Sequence, residues 1–175
     1  MFTDPQSNIR QFGLADGMHI ADLGSGTGAY SLAAAKAIGG NGKVYAIDVQ
    51  KDLLEKLKNE ARAEHLTNIE TIWGDIEKVG GTKLAPATVS GAIISNILFQ
   101  LTHKSTFVEE VKRILKPGGR AFVVDWSDSF AGTGPQPQDV VSKEVAKKLF
   151  IEKGFKLDRE FQAGAHHYAL ILSKL

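Results

Sequence analysis

Three glycines stand at alternate positions in the segment ADLGSGTGAYSL, residues 21–32, between an apolar run and an alanine-rich stretch. Glycine permits positive φ angles and a close approach of the backbone to a ligand. A helix that begins near Ala29 would point its free N–H groups and the positive end of its dipole into the same space. Gly24, Gly26 and Gly28 therefore suit a polar ligand, although an ordinary strand-to-helix turn can contain the same glycines.

Two aspartates follow the glycine motif at the ends of later apolar runs. Asp48 ends the segment KVYAID, about 20 residues beyond the motif, where a carboxylate can accept hydrogen bonds from both hydroxyls of a ribose. Asp48 could also cap the helix that begins near Lys51, and the two roles are compatible. Asp75, after TIWG, is either a third polar residue on the same rim or a simple turn residue. A cofactor that contains a nucleoside is expected.

The aspartate ahead of the glycines separates two classes of nucleoside cofactor. A dinucleotide would place its pyrophosphate on the glycine turn, where the carboxylate of Asp22 would repel it. S-adenosylmethionine would place a charged ammonium there, which Asp22 would attract directly or through water. The chain also contains no Tyr-x-x-x-Lys pair of the kind that short-chain dehydrogenases use. Asp22 therefore favours S-adenosylmethionine.

The elements that must position these residues alternate between strand and helix. Apolar runs predict strands over residues 18–23, 43–48, 68–73, 90–98 and 120–126, followed by a closing hairpin from 155–162 and 166–174. Periodicity and capping residues predict helices over 5–12, 29–38, 51–65, 104–115 and 142–153, with KPGG at 116–119 as a helix stop and turn, and a Gly/Pro-rich loop over 129–138. This order predicts a doubly wound α/β fold with ligands beyond the carboxyl ends of the strands.

Length, charge and composition limit the function classes. The 175 residues predict a single domain over 1–175, with an N-terminal cap helix within 1–16. Lys and Arg number 21 against 20 Asp and Glu, so no nucleic acid or membrane insertion is expected, and a small-molecule partner is favoured. The N-terminus has no signal layout, which predicts a cytoplasmic protein, as a monomer or homodimer. Because the chain has no cysteine, thiolate chemistry and Cys-ligated zinc are excluded, and no metal is expected.

Five segments together resemble the class I S-adenosylmethionine-dependent methyltransferases: HIADLGSGTGAY, VYAIDV, IWGDIE, IISNILFQL and RILKPGGRAFVVDW. The resemblance covers nearly the whole chain and looks closest to the small-molecule branch that includes ubiquinone/menaquinone C-methyltransferases and arsenite methyltransferases. It implies a Rossmann-like, mostly parallel sheet in the order 3-2-1-4-5-7-6 with strand 7 antiparallel. It also implies methyl transfer from S-adenosylmethionine to a small molecule. The arsenite enzymes need cysteines, so their chemistry does not carry over, and SNILF is not the Asn/Asp-Pro-Pro-aromatic motif of amino-directed nucleic-acid methylases.

The resemblance further implies roles for individual residues. The three motif glycines would pass under the methionine and ribose, and Asp48 would bind the ribose hydroxyls. Val49 would pack on the adenine, Asp75 would accept from its amino group, and Asn96 would lie by the methionine end. The expected cofactor-binding set is Asp22, Gly24, Ser25, Gly26, Gly28, Asp48, Val49, Gly74, Asp75, Ile76 and Asn96.

Candidates for catalysis follow the last strands. Gln100 and His103 come after strand four, near where the methyl group should point, or they are a turn glutamine and a helix-start histidine. In HHYALIL, strand alternation sends His166 and Tyr168 to one face and His167 to the other, so one of these sets should face the pocket. Two histidines on opposite faces cannot bind one ion, which argues against zinc.

Other features of the chain bear on the acceptor. Trp126, with Asp125, ends strand five and would either stack on an acceptor or simply pack. The N-terminal segment with Phe2 and Phe12 would form either a lid over the cofactor or a plain amphipathic cap.

Methyl transfer is a direct displacement that needs alignment, and it needs a base only if the acceptor must lose a proton. Two other functions remain open: a cofactor-binding module without catalysis, and an RNA or protein methyltransferase that works with a partner.

Overall fold

Local sequence signals set where the helices begin and end. The carboxylate of Asp4 accepts from the backbone N–H of Gln6 and caps the first helix, which stops where Gly13 adopts a left-handed conformation with φ 65°. Ser142 caps the last helix by accepting from the N–H of Val145. The stop at Gly13 and the cap at Ser142 lie where the sequence pattern predicts them.

The computed structural model describes residues 3–130 and 132–175, and their elements alternate as predicted. The helices are α1 Pro5–Phe12, α2 Ala29–Ile38, α3 Lys51–Ala63, α4 Lys104–Ile114 and α5 Lys143–Ile151, with single 3-10 turns at Leu98–Gln100 and Pro137–Asp139. The strands are β1 His19–Leu23, β2 Lys43–Asp48, β3 Ile69–Trp73, β4 Val89–Ser95, β5 Leu115–Trp126, β6 Phe155–Gly164 and β7 His167–Lys174. None of these helices has the length and apolar character needed to cross a bilayer.

The seven strands form one sheet in the order β3-β2-β1-β4-β5-β7-β6. Strands β1 to β5 pair parallel with one another, whereas β7 pairs antiparallel with both β5 and β6. The predicted fold class and strand order are confirmed. Parallel strands end at a common edge, so the loops after β1, β2, β3 and β4 lie side by side.

Both faces of the sheet are covered by helices. On one face α4 and α5 bury Phe107 and Phe150 against strand residues such as Val123. On the other face α1 and α2 pack on the sheet, and Phe12 stacks on Phe122 with ring centroids 4.7 Å apart. Phe12 is therefore a core residue of an amphipathic cap, while Phe2, the other residue predicted for a lid, lies outside the described residues.

Several boundaries differ from the sequence prediction. KPGG, predicted as a helix stop and turn, instead lies within β5. It forms an irregular stretch there, since Val89 pairs with Leu115 and the pairing resumes only at Gly91 with Arg120. Strand β4 stops at Ser95 rather than continuing through residue 98, because the next residue has a positive φ that breaks the ladder. Helix α3 ends two residues early, at Ala63.

Candidate cofactor site at the carboxyl edge of the sheet

A cavity of about 510 Å³ lies at the carboxyl edge of β1 to β4. Residues within 24–29, 48–50, 74–77 and 95–101 line it, together with Thr3 and Pro5 from the N-terminal segment. Its volume falls within the range of about 300 to 1,000 Å³ that is typical of small-molecule sites. The four strand-end loops therefore enclose space for one small ligand.

The first two motif glycines lie against this cavity. Gly24 and Gly26 have φ angles of 73° and 55°, and the N–H of Gly24 donates to the carbonyl of Ile47 on β2. A Cβ on Gly24 would lie 3.0 Å from Cγ2 of Ile97, whereas a Cβ on Gly26 would meet no atom within 4 Å. A ligand can therefore approach the backbone of Gly26 from the direction in which a Cβ would project.

The third motif glycine has a different reason to be glycine. Gly28 does not line the cavity, and its φ is 83°. A Cβ there would lie 2.3 Å from Cδ1 and 2.9 Å from Cγ of Leu57, a fully buried residue of α3. This glycine allows α3 to pack against the start of α2, and the expectation that Gly28 passes under the cofactor stays a prediction.

Asp48 joins the glycine loop to the start of α3. One carboxylate oxygen accepts from the N–H of Gly26 at 2.8 Å, and the other accepts from the N–H of Gln50 at 2.8 Å. The side chain is only 7% exposed and lines the cavity. Asp48 is therefore not the cap of α3 that one interpretation predicted, because Gln50 holds the N-cap position; it binds the N–H of that residue and presents a carboxylate to the cavity.

Asp22 forms a second acidic wall of the cavity. Its carboxylate accepts from Oγ of Ser31 at 2.6 Å and is 2% exposed. Burial, with a smaller contribution from the negative charge of Asp48, raises the pKa of Asp22 to about 6, against the lowering effect of the Ser31 hydrogen bond. A cation placed beside Asp22 would relieve this unfavourable burial of charge.

Residues after β2 and β3 form the other end of the cavity. Val49 and Ile76 provide apolar side chains there, and Oδ1 of Asp75 accepts from the N–H of Glu77 at 3.0 Å. Gly74 also lines the cavity, and a Cβ on it would lie 2.4 Å from the carbonyl oxygen of Gly81. This end combines an apolar surface with a carboxylate acceptor.

A buried glutamate on α4 anchors the loop after β3. The carboxylate of Glu110 accepts from the N–H of Gly80 at 2.8 Å and from the N–H of Thr82 at 3.2 Å. Arg113 donates to both of its oxygens at 2.7 Å. Burial would raise the pKa of Glu110, but these hydrogen bonds hold it at about 2. The loop that carries Asp75 is thereby fixed to the helix.

Two polar atoms at the cavity have no hydrogen-bond partner among the described residues. They are Oγ of Ser25 and Oδ1 of Asn96, and both atoms are buried. Asn96 also has a φ of 56°, which is rare for a residue other than glycine. Buried polar groups are nearly always satisfied in folded proteins, so these atoms indicate a ligand that donates or accepts hydrogen bonds here.

The charge of the lining is of one sign. Asp22, Asp48, Asp75 and Glu77 line the cavity, whereas no Lys, Arg or His stands among the described residues that line it. Such a lining attracts cationic and neutral donor groups and repels phosphate.

The candidate catalytic residues mostly lie elsewhere. Gln100 lines the cavity, and its Nε2 donates to the carbonyl of Asn96 at 3.0 Å. His103 does not line it; it precedes α4, and its backbone N–H donates to Glu77. Trp126 is buried, with its ring centroid 4.2 Å from that of His167, and it lies outside the cavity lining.

The two sets of side chains in HHYALIL do not face this cavity either, which corrects that prediction. His166 lies in the turn before β7, so strand alternation does not apply to it, and its Nδ1 is 2.8 Å from Oδ1 of Asp128. Tyr168 is buried in the core and donates to the carbonyl of Val141, and burial raises its pKa. Within the described parts of the chain, no three His, Asp or Glu side chains are grouped to hold a metal ion.

Sequence reasoning considered the N-terminal segment as a lid but missed the contribution of Tyr30 to the cavity wall. Tyr30, two residues after the last motif glycine, lines the cavity with Thr3 and Pro5. Asn8 of α1 donates to the hydroxyl of Tyr30 at 2.8 Å, and so connects α1 to α2. The position of Tyr30 directly after the motif was an available signal, but the approach of α1 depends on tertiary packing.

Comparisons with known proteins agree with this geometry. A family model described as a methyltransferase domain matches residues 14–165. The arsenite methyltransferase of Halobacterium salinarum is 30% identical over 128 residues, which cover 73% of this chain and 31% of that protein. The ubiquinone/menaquinone biosynthesis C-methyltransferase UbiE of Haemophilus ducreyi is 29% identical over 116 residues, 66% of this chain and 44% of that protein. The chain thus spans about a third to a half of the length of these curated relatives.

A solved structure gives a match over nearly the whole chain. The crystal structure of a SAM dependent methyltransferase from Aquifex aeolicus has a TM-score of 0.90 and 28% identity, and the match covers 99% of this chain and 91% of that one. The family predicted from the sequence motifs is confirmed. With the family model matched over most of its length, the chain belongs to the methyltransferase domain family.

Proposed function

We propose that this domain binds S-adenosylmethionine in the cavity at the carboxyl edge of the sheet and transfers its methyl group to a small-molecule acceptor. One observation carries the proposal: the carboxylate of Asp48, bonded to the N–H of Gly26, lies in a cavity whose charged lining residues are all acidic. Membership of the methyltransferase domain family supports the same reaction class.

In this proposal the adenosine lies across the ends of β2 and β3. Asp48 accepts from the ribose hydroxyls, and its existing bond to Gly26 keeps the carboxylate oriented toward them. Val49 and Ile76 pack against the adenine, and Asp75 accepts from its amino group. Gly26 leaves the space that the ribose needs, because a Cβ there would project into open volume.

The amino-acid end then lies across the ends of β1 and β4. Asp22 attracts the ammonium, and Oδ1 of Asn96 accepts a hydrogen bond that the described residues do not supply. The hydroxyl of Ser25 is available to the carboxylate of the same amino acid. This arrangement satisfies both buried polar atoms and places a positive charge beside Asp22.

The acidic lining argues against a dinucleotide. The pyrophosphate of NAD would lie on the glycine turn near Asp22 and Asp48, with no Lys or Arg among the described lining residues to offset its charge. Repulsion between like charges in a partly buried site costs several times more than in bulk water. S-adenosylmethionine carries two positive groups and a single carboxylate, which suits this lining.

The cofactor supplies an electrophilic methyl group bound to a positive sulfur. The chain then has to align the acceptor with that group and exclude water, rather than stabilise a new charge. Thr3, Pro5, Tyr30, Gln100 and Leu101 surround the part of the cavity left for the acceptor, and all of them are uncharged.

A small neutral or cationic acceptor fits that uncharged part of the cavity. Two curated relatives are named as an arsenite methyltransferase and as a ubiquinone/menaquinone biosynthesis C-methyltransferase, and these names support a small-molecule acceptor. The absence of nucleic acid from the reaction, a cytoplasmic location and a monomeric or homodimeric state stay predictions. A macromolecular acceptor with a partner protein, or binding without turnover, would be revealed by a screen of acceptors.

Titration calorimetry with S-adenosylhomocysteine and with NAD tests the proposal. We expect S-adenosylhomocysteine to bind and NAD not to bind. Asp48→Ala should weaken binding by roughly 1 to 3 kcal/mol, or about 5- to 150-fold, because two hydroxyls lose a charged acceptor. Asp52→Asn, an exposed aspartate of α3 outside the cavity lining, is the matched control and should bind as the wild type does. Binding of NAD alone would refute the proposal.

A further inference from the structure

A buried carboxylate stands at the end of β5, one strand away from the cavity. Asp125 is 0% exposed, and one of its oxygens accepts from the N–H of Leu98 at 2.9 Å. The other oxygen accepts from the N–H of the following residue, Trp126, at 2.8 Å. Among the described residues, no ion pair joins Asp125 to a cation. Backbone N–H groups, rather than a counter-charge, hold this carboxylate.

Asp125 is hydrogen-bonded to the backbone of residues 96–101, which we term the post-β4 segment. Its first residue, Asn96, has a φ of 56°, in the left-handed region that residues other than glycine rarely adopt. The N–H of Asn96 donates to the carbonyl of Val124 at 2.8 Å. Residues 124 and 125 of β5 therefore hold the segment at its strained residue and again two residues later, at Leu98.

The post-β4 segment forms one end wall of the cavity. Asn96, Ile97 and Gln100 all line it. Ile97 also reaches the glycine loop, since its Cγ2 lies 3.0 Å from the position that a Cβ on Gly24 would occupy. In the sheet, β4 adjoins β1 and is separated from β2 by that strand. The wall therefore borders the end beside β1 that is proposed above for the amino acid, although Ile97 also comes near Ile76, since both side chains lie within 3.6 Å of that Cβ position.

We propose that Asp125 is a positioning residue that holds the post-β4 segment against the amino-acid end of bound S-adenosylmethionine. The inference rests on the proposed function. Without the carboxylate, the buried N–H groups of Leu98 and Trp126 lose their acceptor, and the segment relaxes to satisfy them elsewhere. Asn96 then leaves its left-handed conformation, and its Oδ1 no longer points where the ligand needs it.

The charge state of Asp125 is consistent with this role. Burial raises the pKa of Asp125 to about 6, while the backbone N–H groups of Trp126, Leu98 and Ile97 and the positive charge of Lys104 oppose the rise. The group is therefore ionised at neutral pH. An ionised carboxylate is a stronger acceptor for backbone N–H groups than a neutral one.

Two probes separate the ends of the cofactor. S-adenosylhomocysteine contains both the adenosine and the amino acid, whereas 5′-methylthioadenosine lacks the amino acid. In competition binding, we expect Asp125→Ala to weaken the affinity for S-adenosylhomocysteine about tenfold or more. The affinity for 5′-methylthioadenosine should change less than about threefold. Asp125→Asn retains one acceptor oxygen and the same size, so its loss should be intermediate.

The control variant is Asn68→Ala, at the opposite edge of the sheet. Asn68 is buried, and its Nδ2 donates to the carbonyls of Ala35 and Gly39 at 2.9 Å, so its loss destabilises the fold without touching the cavity. We expect Asn68→Ala to lower the urea midpoint while leaving the affinity ratio of the two probes unchanged.

If the Asp125 variants lose affinity for both probes by the same factor, Asp125 supports the fold in general and the proposal is overturned. An unchanged ratio in Asp125→Asn, the variant that preserves side-chain size, would also overturn it, including the case in which Asp125→Ala does not fold. Failure of the wild-type chain to bind S-adenosylhomocysteine would instead refute the proposed function.

Discussion

Alanine substitutions at two glycines of the same motif should have opposite consequences. Gly26 and Gly28 both have positive φ angles, 55° and 83°, so alanine costs about 1 kcal/mol of backbone strain at either position. The surroundings differ. A methyl group on Gly26 enters open space in the cavity, whereas one on Gly28 lies 2.3 Å from Cδ1 of Leu57.

The cost at Gly28 is larger because Leu57 has nowhere to move. Leu57 is 0% exposed, and its Cγ as well as its Cδ atoms lie within 3.0 Å of the new methyl position, so rotating the side chain does not remove the clash. Overpacking of this kind costs about 1 to 3 kcal/mol. Gly28→Ala should therefore lose about 2 to 4 kcal/mol of unfolding free energy, against about 1 kcal/mol for Gly26→Ala.

Urea denaturation and titration calorimetry together measure both effects. Gly26→Ala should remain folded and lose most of its affinity for S-adenosylhomocysteine, while Gly28→Ala, at a temperature where it is folded, should retain affinity. In a double-mutant cycle, Leu57→Ala should recover the overpacking part of the Gly28→Ala loss, about 1 to 3 kcal/mol. Equal stability of the two glycine variants, or additive losses in the cycle, would refute the assignment of Gly28 to packing.

Further predictions concern buried acids and the N-terminal wall. The raised pKa of Asp22 implies that affinity for S-adenosylhomocysteine is constant above about pH 6 and falls by up to about tenfold per pH unit below it. The affinity falls because protonation of Asp22 removes the charge that attracts the ammonium. Calorimetry across that pH range should find a flatter dependence of affinity on pH in Asp22→Asn. The depressed pKa of Glu110 means that its contribution to folding stability is complete above about pH 4.5 and is lost as pH falls toward 2. Glu110→Gln should lower the unfolding free energy by about 3 kcal/mol in urea denaturation at neutral pH. An unchanged urea midpoint would contradict the anchoring of the loop after β3 by Glu110. Tyr30→Phe should lower stability by about 1 kcal/mol, because Asn8 loses its acceptor, and circular dichroism melting should detect it.

The sheet and the position of the site could be predicted because they follow from local signals. Glycines after one apolar run and an acid after the next are enough to bring Gly26 and Asp48 to one edge, since parallel strands end together. The structure adds that these two residues are hydrogen-bonded to each other at 2.8 Å.

Other parts depended on contacts between distant segments. Gly28 was assigned to the ligand with its neighbours, because the sequence does not reveal that Leu57, 29 positions later, packs onto it. Either His166 with Tyr168 or His167 was expected at the pocket, but the sequence does not reveal that β7 lies away from the cavity, beyond β5 in the sheet, or that His166 lies in the turn before it. The roles of Asn8 and Asp125 arise from hydrogen bonds that span tens of residues, which no local pattern encodes.

A crystal structure of the chain with S-adenosylhomocysteine tests the central claim most directly. The account predicts both ribose hydroxyls within hydrogen-bond distance of the Asp48 carboxylate, at about 2.6 to 2.8 Å. It also predicts the adenine between Val49 and Ile76 and the ammonium beside Asp22. Adenosine bound elsewhere on the chain, or a cavity that stays closed to the ligand at saturating concentration, would contradict it.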